Sequence, residues 1–479
     1  MRRIERCAPA LAAAMAALLA GCMLGPDYQR PAIEVPAQFR GAATQANAVA
    51  NASDTAWWRQ FGDPKLDALV DEGLRSNDDL VAAAARFDRY YGVLGTTRAP
   101  LFPQLGADAA GSRTRASEQT ISPAPATNPY NAVQATLLAS WEIDLFGRTR
   151  RLSEAAAADL QGSEAFRRGT VLSLVAAVVT GYVRLLDLDR ELEVTRETLR
   201  IRQDALTLFE KRFKGGVVSE VEVSQARSDY ATALRNIPLL EQSIAELENA
   251  LCLLLGRNPG PIARGGPLSA LTAPAVPAGL PSDLLDRRPD ILQAEQALVA
   301  ANARIGAAKA AYFPSISLTG AFGQSSRSLS DLWGGAARVW TYGADISVPI
   351  FTAGAIAGQV RSAEAAQREA LAQYRKSVQT AFGETENALS GIVTSRKALD
   401  AQKLAVSSLD RYLRLAWRRY EGGYTSYLEV TDAERNLFTA RIQLAQSEGE
   451  VLLQSIALYK ALGGGWVDIA VKEAPQPQR

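Results

Sequence analysis

The chain has 479 residues, enough for two or more domains, and its 52 basic and 51 acidic residues leave a formal net charge of +1. This balance gives no electrostatic reason to expect nucleic acid as a partner, and the absence of histidine removes the commonest metal ligand and general base. The three cysteines, at positions 7, 22 and 252, have no paired spacing for zinc or for a disulfide framework. We therefore expect a protein that is not an enzyme and that holds no metal or cofactor.

Residues 1–21 have the composition of a signal peptide. Three arginines lie within the first six residues, and the apolar stretch 8–20 is too short to span a bilayer. The stretch ends in Leu-Ala-Gly-Cys22, which resembles a bacterial lipobox, in which cleavage leaves an acylated cysteine at the new N-terminus. Because Met23 stands where an aspartate would retain a lipoprotein at the inner membrane, the pattern predicts an outer-membrane lipoprotein. The alternative is an ordinary signal peptide with an incidental cysteine.

The mature chain is predicted to begin with an acylated, extended segment over residues 22–62. Its first part is rich in proline and polar residues, and it should lie on other elements rather than fold alone. Asp63-Pro64 then predicts the start of a helix that continues to about Thr97 and ends before Pro100 and Pro103.

Two segments, 103–147 and 313–351, have the alternating pattern of β-hairpins. From Val133 to Leu145 apolar residues occupy every second position and polar residues the positions between, with Leu138 as the exception. The stretch 340–351 alternates in the same way, and weaker partners lie upstream at 105–114 and 314–325. Each hairpin should have one oily face and one wet face.

A long supercoiled helix follows each hairpin. Between Leu371 and Tyr420, twelve of fifteen positions at a 3.5-residue spacing are apolar or aromatic, and the same seam occurs 207 residues earlier, from Val171 to Phe213. A helix over about 354–421 would be on the order of 100 Å long. Each long helix ends at a pair of glycines and is followed by a second heptad helix. Cys252 lies in an apolar run of one of these and is predicted to be a core residue.

The chain therefore reads as two repeats of helix, β-hairpin, long helix and shorter helix. The first repeat covers 63–256, a linker rich in proline and glycine covers 257–281, and the second repeat covers 282–463. The tail 464–479 is polar and is predicted to be disordered. In the motif Arg287-Arg288-Pro289-Asp290, Asp290 is expected to satisfy the first backbone donors of a helix.

Four strands with an oily outside and a polar inside cannot close a membrane barrel, because an open sheet leaves unpaired N–H and C=O groups in lipid. Two chains would give eight strands with a filled interior, and three would give twelve strands around a channel. The polar inner face favours the channel, and hence a homotrimer. The fold class is therefore mixed, a coiled-coil α-barrel continuous with a transmembrane β-barrel. We expect no transmembrane helix after residue 60, since the nearest candidate, 171–183, contains Ser173 and Thr180.

The chain resembles the TolC-like outer-membrane factors, specifically their OprM-like lipoprotein branch. The resemblance covers essentially the whole mature chain, and its motifs are Gly25 to Pro31, Trp57-Trp58 with Phe61 to Pro64, Leu284 to Asp290, Ala307 to Pro314 and Leu462 to Trp466. It implies a trimeric exit duct in the outer membrane. The partners implied are a periplasmic adaptor (membrane fusion) protein and an inner-membrane pump, commonly of the resistance-nodulation-division class, which together expel drugs, dyes or detergents.

The resemblance also implies two sites at the Gly-Gly turns, the end farthest from the outer membrane. The adaptor-docking positions are Phe213, Gly216, Val221, Tyr420 and Gly423. Leu428, which also matches the tip pattern, and Asp432 occupy the positions of a periplasmic gate, where three apolar side chains would form a dewetted constriction and three carboxylates would favour cations. The alternatives are that the turns are simple helix stops and that Asp432 is a solvated helix residue.

Three other functions stay open at this point. The lipobox and the resemblance to the lipoprotein branch speak against a duct for secreted polypeptides. A metal-ion exporter is less attractive because histidine is absent and methionine is scarce. A non-conducting periplasmic scaffold would not need the alternating strands. Opening by nucleotide is not expected, because the sequence has no phosphate-binding loop.

Overall fold

The computed structural model describes residues 23–36, 39, 56–119, 127–273, 284–463 and 466–478. The predicted signal peptide 1–21 and the predicted lipidation site Cys22 lie outside the described residues, as do much of the segment 22–62 and the end of the linker 257–281.

The first repeat begins with helices α1 (Pro64–Ser76) and α2 (Asp78–Arg98). The Asp63 side chain accepts a hydrogen bond from the Lys65 N–H at 2.8 Å, so the predicted helix start is confirmed. The prediction of one unbroken helix is wrong, because Asn77 adopts an extended conformation. Its side chain accepts a hydrogen bond from the Leu80 N–H at 3.1 Å, which caps α2. The same side chain donates a hydrogen bond to the Leu254 carbonyl at 3.0 Å, which holds the break between α1 and α2 against α4.

The two predicted hairpins form one antiparallel sheet in the order β1 (Gln104–Thr114), β2 (Tyr130–Ile143), β3 (Ser315–Ser326) and β4 (Arg338–Ser347). The central β2–β3 pair joins the two halves of the chain. The register places Leu137, Phe322 and Trp340 side by side on one face. β4 ends at Ser347, earlier than the alternation to residue 351 predicted, since Pro349 has no N–H to donate to a ladder.

Two helices of 67 residues each, α3 (Arg148–Lys214) and α6 (Ala355–Glu421), are about 100 Å long. Each returns through a shorter helix, α4 (Glu220–Leu254) or α7 (Tyr427–Leu462), and α5 (Pro289–Ala310) precedes the second hairpin. All fifteen positions of the predicted α6 seam are buried or half-buried, including its polar members. The heptad prediction is therefore confirmed from Leu371 to Tyr420.

Within the described part of the chain, one helix, α3, is long and apolar enough to cross a membrane. By length and composition alone, this contradicts the expectation that no such helix follows residue 60. Its apolar window is 67% buried inside the chain. The core around it contains Val171, Val175 and Tyr182 from α3 and Trp57, which stacks on Tyr459 of α7 at 4.8 Å. The composition of α3 is thus that of a core helix.

The prediction that the C-terminal tail is disordered is wrong in part, because helix α8 (Trp466–Glu473) lies within it. Val467 and Ala470 are buried in the main core against α1 and α3, and Asp468 pairs with Arg168 at 2.5 Å. The apolar spacing of these two residues was too short a signal to stand out in a polar tail. Cys252 is buried in the same core, and its thiol donates to the Gly260 carbonyl at 3.2 Å.

The Arg-Pro-Asp motif does not act as predicted, because the Asp290 carboxylate accepts hydrogen bonds from the Arg288 guanidinium instead of capping α5. The N-terminal cap position is Arg288, which makes no side-chain cap bond. Its buried guanidinium pairs with Asp290 and with Glu384 of α6, both at 2.7 Å, and donates to the Ala461 carbonyl of α7 at 2.9 Å. A buried cation needs such partners, and this requirement outweighs capping by Asp290.

Candidate functional site

The two turns between long and short helices, which we call the helical tips, have the same backbone geometry. In the first, the Gly216 N–H donates to the Phe213 carbonyl and the Val217 N–H to the Arg212 carbonyl, both at 2.9 Å. In the second, the Gly423 N–H donates to the Tyr420 carbonyl at 3.0 Å and the Tyr424 N–H to the Arg419 carbonyl at 2.9 Å. This is the Schellman arrangement, and the φ angles of +72° and +76° at the second glycine of each pair explain why glycine is needed there.

Large apolar side chains are exposed at both helical tips. The most exposed are Tyr424 at 82% and Val217 at 74%, each directly after a glycine pair, and Val221 and Phe213 are also exposed. Exposed apolar clusters at the end of a long helix are typical of a surface that another protein covers. Phe213 and Val221 were predicted from the sequence, whereas Val217 and Tyr424 were not, although an apolar residue directly after the C-terminal glycine was a readable signal.

Tyr420 lies mainly inside the tips, in contrast to the exposed Phe213 and Val221. It belongs to an aromatic cluster in which Phe209 lies 4.1 Å from Tyr427, and Tyr420 and Trp417 lie 5.5 Å and 6.0 Å from that same ring. Burial raises the pKa of the Tyr420 hydroxyl, and the nearby Glu222 carboxylate raises it further. The cluster joins the two hairpins and sets the positions of the exposed side chains.

The two predicted gate residues lie on one face of α7. Leu428 and Asp432 are four residues apart, and both are exposed, Leu428 at 57%. The Asp432 carboxylate accepts one hydrogen bond, from the Asn436 amide at 3.1 Å. The structure thus places an exposed apolar side chain and an exposed carboxylate one helical turn apart, just after the second tip.

The opposite end of the helices holds the extended N-terminal segment 23–36, which we call the strap. The buried Arg151 of α3 donates to the Leu24 carbonyl at 3.0 Å, and Asn302 of α5 donates to the Pro26 carbonyl at 2.8 Å. The strap therefore lies across helices from both repeats, which confirms that this part of the chain is extended and supported by other elements.

The strap begins where the sheet meets the helices. A Cβ at Gly147, between β2 and α3, would lie 2.8 Å from the Met23 side chain. A Cβ at Gly306 of α5 would lie 2.4 Å from the Leu24 carbonyl oxygen. These close approaches fix the first described residues of the chain beside the end of the sheet.

A family model described as outer membrane efflux protein matches residues 69–257 and 280–464. The chain belongs to this family. It is 39% identical over 463 residues to the toluene efflux pump outer membrane protein TtgC of Pseudomonas putida, covering 95% of each chain. It is 36% identical over 457 residues to the cation efflux system protein CusC of Escherichia coli, covering 94% of this chain and 97% of CusC.

Solved structures of family members share the fold. The outer-membrane channel OprN aligns with a TM-score of 0.86 at 30% identity, over 93% of this chain and all of OprN. A structure of CusC aligns with a TM-score of 0.82 at 34% identity, over 92% of this chain and all of CusC. The open state of the Neisseria gonorrhoeae MtrE outer membrane channel aligns at 0.79 and 32% identity, over 96% of this chain and all of MtrE.

Family membership makes the chain an outer-membrane efflux channel with a large periplasmic part, and a transport protein rather than an enzyme. The TolC-like resemblance and the mixed fold class, a helical barrel joined to a β-barrel, are confirmed. Within the residues that the structure describes, no group of three or more His, Cys, Asp or Glu side chains could hold a metal ion.

Proposed function

We propose that the chain is the exit duct of a tripartite efflux system that moves drugs or other small toxic compounds from the periplasmic side to the exterior. The observation that carries this proposal is the pair of exposed apolar helical tips at the end of helices about 100 Å long, opposite the sheet. A channel that worked alone would have no use for an apolar surface so far from the membrane. Its partners are a periplasmic adaptor and an inner-membrane pump of the resistance-nodulation-division class.

The duct is a homotrimer in this proposal. β1 and β4 are the edges of a four-stranded sheet, and within the described chain no further strand pairs with them. Because β4 runs antiparallel to β1, the same edge-to-edge contact can be repeated around a closed ring. Three copies give twelve strands, enough to leave a channel lined by the polar face.

The adaptor docks on the helical tips. Phe213 and Val221 present apolar surface, Gly216 and Gly423 allow the tight turns, and Tyr420 supports them from inside. Beside the second tip, Leu428 and Asp432 form the periplasmic gate. Three copies of Leu428 near the threefold axis would exclude water, and three Asp432 carboxylates one turn away would attract cations and repel anions.

Cys22 carries acyl chains that anchor the protein in the outer membrane. The support is the strap, which holds Met23 against Gly147 at the end of the sheet. A lipid on the preceding residue would therefore lie at the level where the β-barrel leaves the bilayer.

A second candidate cargo is metal ions, because the relative CusC is named as part of a cation efflux system. Organic compounds are favoured because TtgC is named for toluene efflux and matches at somewhat higher identity. A duct for secreted polypeptides is a weaker alternative, with no named relative among those compared above to support it.

A deletion strain tests the proposal when it is grown against a panel of antibiotics, dyes, solvents and metal salts. We expect increased sensitivity to several organic compounds, restored by the wild-type chain but not by Val221→Asp, which places a charge on the docking surface. Sensitivity to metal salts alone would favour the cation candidate. Unchanged sensitivity to the whole panel would contradict the proposed function.

A further inference from the structure

Four helices meet at a partly buried polar cluster near the tips, which we call the polar node. It consists of Arg202 on α3, Asp229 on α4, and Glu434 and Arg435 on α7, with Trp417 of α6 beside it. Arg202 donates to the Asp229 backbone carbonyl at 2.9 Å, and Arg435 donates to the Asp229 carboxylate at 2.8 Å. The node thus joins the first hairpin to the second.

The hydrogen bonding of the polar node is incomplete in the described chain. Arg202 and Asp229 are both buried, and the Arg202 guanidinium also lies over the Phe438 ring at 5.2 Å. Among the described residues, the buried atoms Arg202 Nε and Glu434 Oε1 have no hydrogen-bond partner. Buried polar atoms without partners are rare in folded proteins, so this cluster calls for an explanation.

The groups facing Glu434 come from every surrounding helix. Burial raises the pKa of its carboxyl to about 7, and the Asp229 carboxylate adds to this rise. The attraction of Arg202 and the Trp417 side chain act in the opposite direction but are weaker than burial. Tyr427 faces Glu434 from α7 itself, and Arg435 acts on the neighbouring Arg202. Burial also lowers the pKa of Arg202, so both charges are costly at this place.

We propose that Glu434 is a proton-operated lock: its neutral carboxyl lets the polar node stay packed and the tips closed, and its ionisation drives the node toward water and opens the tips. This rests on the proposed function, in which the tips surround the closed mouth of the duct. The lock lies two residues from Asp432, so a movement of α7 at the node is passed directly to the gate.

The direction follows from proton linkage. A carboxyl with a pKa near 7 in the packed node and near its ordinary value of about 4.5 when solvated binds more protons in the closed state. Lowering the pH therefore stabilises the closed state, and raising the pH through 7 stabilises the open state. Per chain, the ratio of open to closed should rise on the order of tenfold between pH 5.5 and pH 8.0.

Planar-bilayer recordings of the full-length channel at these two pH values test the lock. Wild type should open on the order of tenfold more often at pH 8.0. Glu434→Gln, which keeps the shape of the neutral carboxyl, should stay closed at both. The matched control is Asp187→Asn, because burial and neighbouring carboxylates raise the Asp187 pKa to about 7 as well, away from the node. A response lost in Asp187→Asn but kept in Glu434→Gln, or opening favoured by acid, would overturn the proposal.

Hydrogen exchange at Tyr427–Leu437 in the detergent-solubilised chain gives a readout that does not depend on conductance. After correction for intrinsic rates, protection should be greater at pH 5.5 than at 8.0 in wild type and equal at both in Glu434→Gln. If exchange responds as expected while no conductance is seen, the duct function fails and the lock stands. If exchange in wild type does not change with pH, the lock is refuted whatever the conductance.

Discussion

Arg288 shows how a single side chain can hold three helices in place. Its guanidinium has carboxylate partners on α5 and α6 and a carbonyl partner at the end of α7, and all three contacts are shorter than 3.0 Å. A Cβ at Gly463, just after α7, would lie 2.7 Å from its Cγ, so the side chain leaves no room for a larger residue there. Arg288 thus ties α5, α6 and the end of α7 together.

Replacing Arg288 by alanine should lower stability sharply. Removing the guanidinium leaves the Ala461 carbonyl without its donor and two half-exposed carboxylates without their countercharge, which together cost about 1–3 kcal/mol. We expect a clear fall in the thermal unfolding midpoint of the detergent-solubilised protein, measured by circular dichroism.

Arg190→Ala is the matched control for that measurement. Arg190 pairs with Glu193 at 2.5 Å, but both side chains are about half exposed or more, and such surface pairs contribute roughly 0–1 kcal/mol. Equal midpoints for Arg288→Ala and wild type would mean that the buried network is not a source of stability.

Among the elements, the strap is the one whose position depends most on glycine. Gly306 and Gly25 face one another so closely that a Cβ on Gly25 would lie 2.4 Å from the Gly306 Cα. Only a chain without side chains at both positions can lie this flat on α5. The strap is therefore a built part of the fold.

Gly306→Ala should displace the strap from α5. The added methyl group would meet the Leu24 carbonyl oxygen at 2.4 Å, and backbone cannot move aside without breaking the Arg151 contacts. We expect faster cleavage by chymotrypsin after Tyr28, followed by mass spectrometry of the released N-terminal peptide. In Gly383→Ala on α6, where a Cβ meets nothing within 4 Å, the cleavage rate should equal that of wild type. Equal rates in both variants would contradict the role given to Gly306.

The elements that repeat along the chain were the ones predictable from sequence. The alternation in β2 and the heptads of α6 extend over many residues, so a few polar exceptions do not hide them. The break at Asn77 and the tail helix α8 depend on single contacts with distant residues, such as the Leu254 carbonyl and Arg168. Sequence periodicity carries no information on such contacts.

The candidate site was predictable in part for the same reason. The glycine pairs mark both helical tips, and the tip sequence selected several residues that the structure shows exposed. The polar node was not predicted, because Arg202 appears in the sequence only as a polar exception within a heptad seam. Arg202 contacts Asp229, 27 residues away, and the Phe438 ring, more than 200 residues away.

At the scale of the whole molecule, the sheet end and the helical tips differ in how they are held together. The sheet end is fixed by the strap and by the Phe146–Phe313 contact at 4.8 Å, whereas the tips are joined by an aromatic cluster and a polar node with unsatisfied atoms. The proposed duct, sealed in lipid and opening at its mouth, would use this difference. The sheet end faces the membrane, and the tips face the proposed partners.

Charge reversal at the gate links this arrangement to transport. If three Asp432 carboxylates surround the mouth, Asp432→Lys should shift the reversal potential in a salt gradient from cation preference toward anion preference. The shift should be greatest in dilute salt, because the screening length falls from about 30 Å at 0.01 M to about 3 Å at 1 M. Asp400→Lys, at another exposed carboxylate position on α6, should leave the reversal potential close to that of wild type. If Asp432→Lys keeps the conductance and cation preference of wild type, Asp432 does not line the mouth, and the gate must be formed by other residues of the tips.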